Sequence, residues 1–456
     1  IAHRTPMLID LIGHATLAVQ TRDRHLLFDP VFGDAHQHGL CAVFPPRRVL
    51  EERLPRFDTL VVTHQHLDHF DLATLSRLPR DVDVLLPEDR ALVDLLKGLG
   101  FERLHALRPW SRVELGATSL LAIPSDAPLP ELGFLVWDED ACCWNAVDTV
   151  LTQDAVAVAR CQAPPIDVLF ASFQPLLEGR LASGRDFAFP FDEYGRLLQR
   201  VHEIAPAHVV PASAGFCYQG SASWQNQCAF PVTRERFAED VVSGQPALRG
   251  RVSSMDPGDR LRVFAGRALL EERGCAWVER DDADPALLDF APVLAPAPLH
   301  DDLPTWAKGV DLAAVAEGIL SDELPALLAA RPDLLASFAR WGLVYQLVVV
   351  TPTGHLRWVY DFTAGALRVS RDRDPCANAF AWVTASGLYG LRDARLDWSA
   401  LVLGGAYRGF DRLYRATPAG LARPEGVVIP NLLQLRFPVR AAFRAAQERA
   451  AYSTCK

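Results

Sequence analysis

Along the first half of the chain, apolar positions come in short runs that break on turn residues. Leu8–Gly13, Thr16–Gln20 and His25–Asp29 read as strands, and Asp58–Thr63 (DTLVVT) as a buried strand running into a polar turn. Asp71–Arg77 predicts a short helix, Val82–Leu86 a strand, and Asp89–Gly98 a helix with Asp89 near its start. Ser119–Ile123, Gly133–Trp137, Cys142–Val147 and Asp167–Ala171 read as further strands. An amphipathic helix near Phe191–Ile204 precedes a strand at His208–Pro211. Strands interleaved with helices in this way predict an α/β fold, two sheets sandwiched between helical layers.

The pattern changes at Asp281–Asp302, which is rich in Pro, Ala and Asp. Its composition marks a linker over 281–302, between a larger domain at 1–280 and a smaller one at 303–456. The linker's Leu and Phe residues suggest that it lies against a surface. Beyond it, Asp311–Trp341 reads as helix, and Val344–Thr351 with His355–Phe362 as a hairpin about a Pro-Thr-Gly turn. Strands at Leu367–Arg371 and Ala379–Thr384 and a helical tail from about Ser399 complete an α+β domain.

At 456 residues, the length fits two or three domains of roughly 100–200 residues each. A formal charge of -10 argues against non-specific nucleic-acid binding, which needs a basic footprint. No apolar run reaches the ~18–20 residues of a membrane span, and no secretory pattern opens the sequence. The nine cysteines lack zinc-ribbon spacing and read as small buried hydrophobes. The expected compartment is the cytoplasm.

The densest chemistry is Thr63-His64-Gln65-His66-Leu67-Asp68-His69, directly after the buried strand. Three imidazoles and a carboxylate on one turn are able to converge on metal: His64 and His66 on one ion, Asp68 and His69 toward a second. Such ligands suit zinc, iron or manganese, so the motif fixes a metal site before it fixes the metal.

This segment resembles the metallo-β-lactamase superfamily, whose signature is HxHxDH after a buried strand. Leu11-Ile12-Gly13-His14-Ala15-Thr16 and Phe28-Asp29-Pro30 look like the opening strands of one branch. That branch contains ascorbate-lactonase-like hydrolases and the CMP-sialic acid hydroxylase relatives. The resemblance covers about residues 7–265 and implies an αββα sandwich. It also implies that Asp148, in Asn145-Ala146-Val147-Asp148-Thr149, is the carboxylate bridging two metals.

Two departures stand out. Where the family's hydrolases usually offer a further His, this chain reads Pro124-Ser125-Asp126. Where they offer a last His, it reads Ala212-Ser213-Ala214-Gly215. If Asp126 replaces the first, the ligand set becomes His64, His66, Asp68, His69, Asp126 and Asp148. Extra oxygen ligands favour iron or manganese, and the superfamily includes a diiron oxygenase branch with a carboxylate in such a position. His36 and His38, in the loop after Asp29-Pro30, are candidates to close the second site or to touch substrate, or are solvated loop residues. His14 reads as structural. Tyr218 and Trp224, in the polar-aromatic loop Pro211–Gln227, are candidate pocket walls. Arg47-Arg48 reads as a solvated pair, with an anionic substrate as the alternative.

The favoured function is a non-haem diiron oxygenase acting on a small molecule in specialised biosynthesis, which would call for an electron donor. The first alternative is a zinc- or manganese-dependent hydrolase in which Asp68 orients or deprotonates a metal-bound water. The second is a degenerate metal-binding carrier or assembly protein. The hairpin around Pro352–Gly354, the Trp358–Phe362 strand and the Trp398–Tyr407 segment resemble a sterol-carrier-protein-like module or the tail of the sialic acid hydroxylase relatives. Trp358, Phe362, Phe380, Trp382 and Trp398 would then form its core or a small-ligand groove, with core the expected use.

Overall fold

A computed structural model describes residues 5–177, 188–292, 299–424 and 431–438. The first sheet contains β1 (Met7–Gly13), β2 (Thr16–Gln20), β3 (His25–Phe28), β4 (Thr59–Val61), β5 (Asp83–Pro87) and β6 (Leu104–Leu107). The second runs β7 (Arg112–Leu115), β8 (Thr118–Pro124), β9 (Leu132–Trp137), β10 (Cys142–Asn145), β11 (Val168–Ser172) and β12 (His208–Ala212). A hairpin of β13 (Arg260–Phe264) and β14 (Arg267–Glu271) returns to the first sheet, with β13 beside β1.

The sheets bury one face against each other. Ile9, Leu17, Leu26, Phe28 and Val61 meet Leu120, Phe134, Cys143, Phe170 and Val210 in a shared core. The outer face of the first sheet packs on the helix Arg90–Gly98 through Leu92 and Leu96. That of the second packs on the helices Gln153–Gln162, Phe191–Ile204 and Arg234–Gly244 through Ala159, Val201 and Phe237. Strand alternation divides even adjacent cysteines: Cys142 joins the helix-side core and Cys143 the inter-sheet core. The result is the expected αββα sandwich.

The C-terminal sheet is built from β15 (Val344–Thr351), β16 (Gly354–Asp361), β17 (Arg368–Ser370), β18 (Ala379–Thr384) and β19 (Tyr407–Asp411), in the order β17-β16-β15-β18-β19. One face, with Leu347, Trp358 and Ala381, packs on helices. The other presents Val348, Phe380, Trp382 and Phe410 to the core of the first sandwich. All five aromatic residues singled out from the sequence are buried. Across the junction Asp240 accepts hydrogen bonds from the hydroxyls of Tyr194 (2.8 Å) and Tyr414 (2.7 Å) and from Arg236 (3.1 Å).

The stretch proposed as a linker is anchored: Phe290 packs on Phe380 and Phe410, and Asp301 accepts a hydrogen bond from the Ser386 amide at 2.8 Å. Residues 293–298 of it lie outside the described residues. The single helix expected at Asp311–Trp341 is interrupted. A wide turn occupies Gly318–Glu323, and the chain restarts at Pro332, whose ring supplies no amide for a continuous helix. The helical tail is also corrected. Helix Trp398–Leu403 ends at Gly404-Gly405 and the chain re-enters the sheet as β19; residues 439–456 lie outside the described residues. Among the described residues no helix is long and apolar enough to cross a membrane.

Candidate metal centre

Three buried residues of β4, held in parallel register between β3 and β5, deliver the chain to Thr63. Asp29, just beyond β3 with φ 43°, fixes that point. Its carboxylate accepts the Thr63 amide and the Thr63 hydroxyl, each at 2.7 Å. A tight turn follows, with the His69 and Phe70 amides donating to the His66 carbonyl at 2.9 and 2.8 Å. Asp71 then caps the helix Leu72–Leu75 through the Ala73 and Thr74 amides.

This turn spreads the motif's side chains around one point. His64 Nε2 lies 2.8 Å from His66 Nδ1, and His69 Nε2 lies 3.1 Å from Asp148 Oδ2. His64, His69 and Asp148 place ligand atoms within 4.8 Å of one another, and so do His14, Asp68 and His69. Asp68 Oδ2 is 2.9 Å from His14 Nε2, and its Oδ1 accepts from Gln37 Nε2 at 2.9 Å. Asp148 is carried by the turn after β10, where the Thr149 amide bonds the Ala146 carbonyl.

The electrostatics suit a cation. Burial and the neighbouring His69 push His64 down to about 3, keeping the neutral form a metal requires. Burial would lower His69, but Asp148 and Asp29 flank it and hold it well above the usual imidazole range. Burial would raise Asp68, yet the hydrogen bond from His14 and the charge of His69 hold it far below the usual carboxylate range. Asp148 is depressed likewise, with His69 outweighing burial. Half-buried carboxylates held ionised beside imidazoles, with His64 already neutral, form a donor set that fits divalent metal.

The structure does not bring Asp126 to this cluster. The bend after Pro124 turns it outward, exposed, with its amide on the Val150 carbonyl at 2.9 Å. Glu131 faces inward instead. The next amide, Leu132, donates to the Thr63 carbonyl at 3.1 Å, setting Glu131 beside the motif. Glu131 is buried, its Oε1 has no hydrogen-bond partner among the described residues, and burial with the nearby Asp148 raises it to about 7 despite a bond from Ser125. Sequence reasoning passed over Glu131 because only the strand register shows which side of the bend faces the metal turn.

His14, expected to be structural, sits in the cluster. His36 is buried beside it, its ring 5.7 Å from that of His14 and nearly parallel, whereas His38 is exposed. Tyr218 is buried against Phe216 and Phe230, while Trp224 is 49% exposed. The solvated Arg47-Arg48 pair is corrected by half. Arg48 is exposed and pairs with Glu279, but the Arg47 side chain is fully buried among backbone carbonyls. A cavity of about 310 Å³ adjoins His14 and Val147, lined by apolar residues including Phe170, Val210, Phe230 and Met255. Pro285, Leu288, Arg373 and Pro375 also line it, so residues from beyond the sandwich wall it. Its arginines are paired, Arg234 with Asp256 at 2.7 Å and Arg373 with Asp289.

Residues 24–206 match the β-lactamase superfamily domain, and with the αββα sandwich and the HxHxDH turn they place this part of the chain in the metallo-β-lactamase-fold superfamily. A protein of Mycobacterium tuberculosis provisionally named a Rieske 2Fe-2S iron–sulfur protein is 32% identical over 156 residues, 31% of this chain and 30% of that protein. The UPF0173 protein of Pyrococcus abyssi is 25% identical over 132 residues, 28% of this chain and 55% of that protein. This chain thus spans well under two thirds of these relatives. Similar solved structures include the diiron β-hydroxylase CmlA of Streptomyces venezuelae (TM-score 0.40, 19% identity, covering 57% of this chain and 54% of that one). Another is the isothiocyanate hydrolase from Delia radicum gut bacteria (TM-score 0.41, 17% identity, 57% and 100%).

Proposed function

We propose that this chain is a binuclear-metal enzyme, and specifically a non-haem diiron oxygenase acting on a small organic molecule. The observation that carries this reading is Glu131, a buried carboxylate with an unpartnered oxygen, close enough to Asp148 and His69 to feel their charges. With Asp68 and Asp148 it makes the donor set rich in hard oxygen, which suits iron better than a nitrogen-rich zinc site. His64, His66, Glu131 and Asp148 would hold one metal, and Asp68, His69 and Asp148 the other. The bound pair would supply dioxygen activation, with electrons from an external donor.

The chain's own groups do the rest. Gln37 and His14 fix the Asp68 carboxylate, the catalytic candidate, from two sides. The apolar cavity beside His14 excludes water and takes a substrate that is mostly apolar, since its arginines are already paired. Residues 1–280 form the catalytic unit in this reading, and 303–456, joined through 281–302, form an accessory domain that closes the pocket.

The test is elemental analysis of protein expressed without added metal, with an optical spectrum under air. About two irons per chain and a charge-transfer band are expected. Two zincs and a featureless spectrum would move the protein to the hydrolases, and no bound metal would leave the carrier reading.

A further inference from the structure

The strand-end segment after β12, Ala212-Ser213-Ala214-Gly215, supplies no imidazole to the second metal. What occupies that side of the cluster comes from the opposite sheet. The β1–β2 turn carries His14, buried, with Nε2 at 2.9 Å from Asp68 Oδ2 and its ring edge-on to His69 at 5.4 Å. Ligand atoms about 2.0–2.2 Å from one metal lie ~3–4 Å apart, and His14, Asp68 and His69 gather theirs within 4.8 Å.

The backbone is shaped for this approach. His14 has φ 46°, a left-handed conformation uncommon outside glycine that histidine adopts more readily than most residues. Gly215 is what lets the two segments meet: a Cβ there would come within 3.1 Å of His14 Cα and 3.2 Å of its amide nitrogen. Phe216 stands edge-on to the ring at 5.3 Å and His36 stacks beside it, fixing its plane. One hydrogen bond to Asp68 does not account for all this, because Asp68 already accepts from Gln37.

We propose that His14 is the nitrogen ligand of the second metal, joining Asp68 and His69 in place of the strand-end histidine that this chain lacks. The proposal rests on the binuclear reading above. It assigns His36 the part of a ring that holds His14 in place, outside the coordination sphere.

Cobalt(II) titration of the metal-free protein, followed by visible absorption and equilibrium dialysis, separates the cases. His14→Asn suits the turn, because Asn tolerates the left-handed conformation. We expect two cobalt ions per wild-type chain, about one for His14→Asn, and two for His36→Ala, with affinity for the second ion in His14→Asn at least ~100-fold weaker. His14→Asp, which supplies a carboxylate ligand in place of the imidazole, is expected to recover two ions with shifted bands. Two ions at wild-type affinity in His14→Asn would overturn the assignment while leaving the binuclear reading intact. Fewer than two in the wild type would overturn both. Independently of any variant, proton NMR of the dicobalt wild type should show four paramagnetically shifted, exchangeable imidazole N–H signals (His14, His64, His66 and His69). Three would refute the proposal.

Discussion

Asp29 Oδ2 lies 2.9 Å from His69 Nδ1, and both side chains are fully buried. The same carboxylate takes the Thr63 amide and hydroxyl, so one residue at the end of β3 sets both the entry to the metal turn and the ring plane of its last histidine. A carboxylate behind a ligating imidazole fixes its tautomer and strengthens it as a donor. Asp29→Asn should therefore weaken metal binding by roughly 10–100-fold without touching a ligand. Competition against a chromophoric chelator would measure this. Unchanged affinity would mean that His69 does not bind metal through Nε2.

The contrast between Glu131 and Asp126 gives a second expectation. Asp126→Ala should leave metal content as it is, since that side chain is solvent-exposed. Glu131→Gln should lower iron retention relative to zinc when metal-free protein is offered both, because it replaces a hard anionic donor with a neutral one. Equal iron-to-zinc ratios in Glu131→Gln and wild type would remove the basis for preferring iron.

Most of the sandwich was legible because its strands bury one or both faces and so carry alternating or continuous apolar runs. The motif turn was legible because His64, His66, Asp68 and His69 are contiguous. What escaped depends on distant segments meeting. His14 lies 50 residues before His64 and Glu131 67 residues after it, with nothing to mark either in one dimension; they reach the cluster through strand register and through the gap left by Gly215. The strands β13, β14 and β19 were missed for a related reason. They are short, and Arg260–Phe264 and Arg267–Glu271 alternate with arginine and glutamate that pair across the hairpin, which mutes their apolar signal.

Arg47 illustrates a charge that the sequence placed outside and the fold placed inside. Its guanidinium donates to the carbonyls of Ile12 (3.0 Å), Val31 (2.9 Å), Phe32 (3.1 Å) and Gly33 (3.2 Å), and to Asp34 (2.9 Å). It therefore ties the end of β1, next to His14, to the loop that follows Asp29. Arg47→Met leaves those carbonyls without donors and should cost ~3–5 kcal/mol in urea unfolding. Arg47→Lys should recover little of it, since an ammonium cannot present five donors in a plane. A loss below ~1 kcal/mol would show that water satisfies the carbonyls instead.

His208 opens β12 far from the metal turn, buried, with Nε2 3.0 Å from Ser253 Oγ. Burial, helped by the charge of Arg251, lowers it from 6.5 to about 4. Between those values the unfolded chain binds a proton that the folded chain refuses, so folding stability rises with pH through this window. The contribution is complete above about 6.5 and is lost as pH falls toward 4. His36 and His64 share the same direction, so the comparison needs metal-free wild type beside metal-free His208→Gln, where their effects cancel. The wild type should lose roughly 1–3 kcal/mol more than the variant between pH 7 and pH 4.5, read from denaturant midpoints at each pH. Parallel stability curves would mean that His208 takes up its proton in the folded protein as readily as in the unfolded chain, with the β12 edge opening to water.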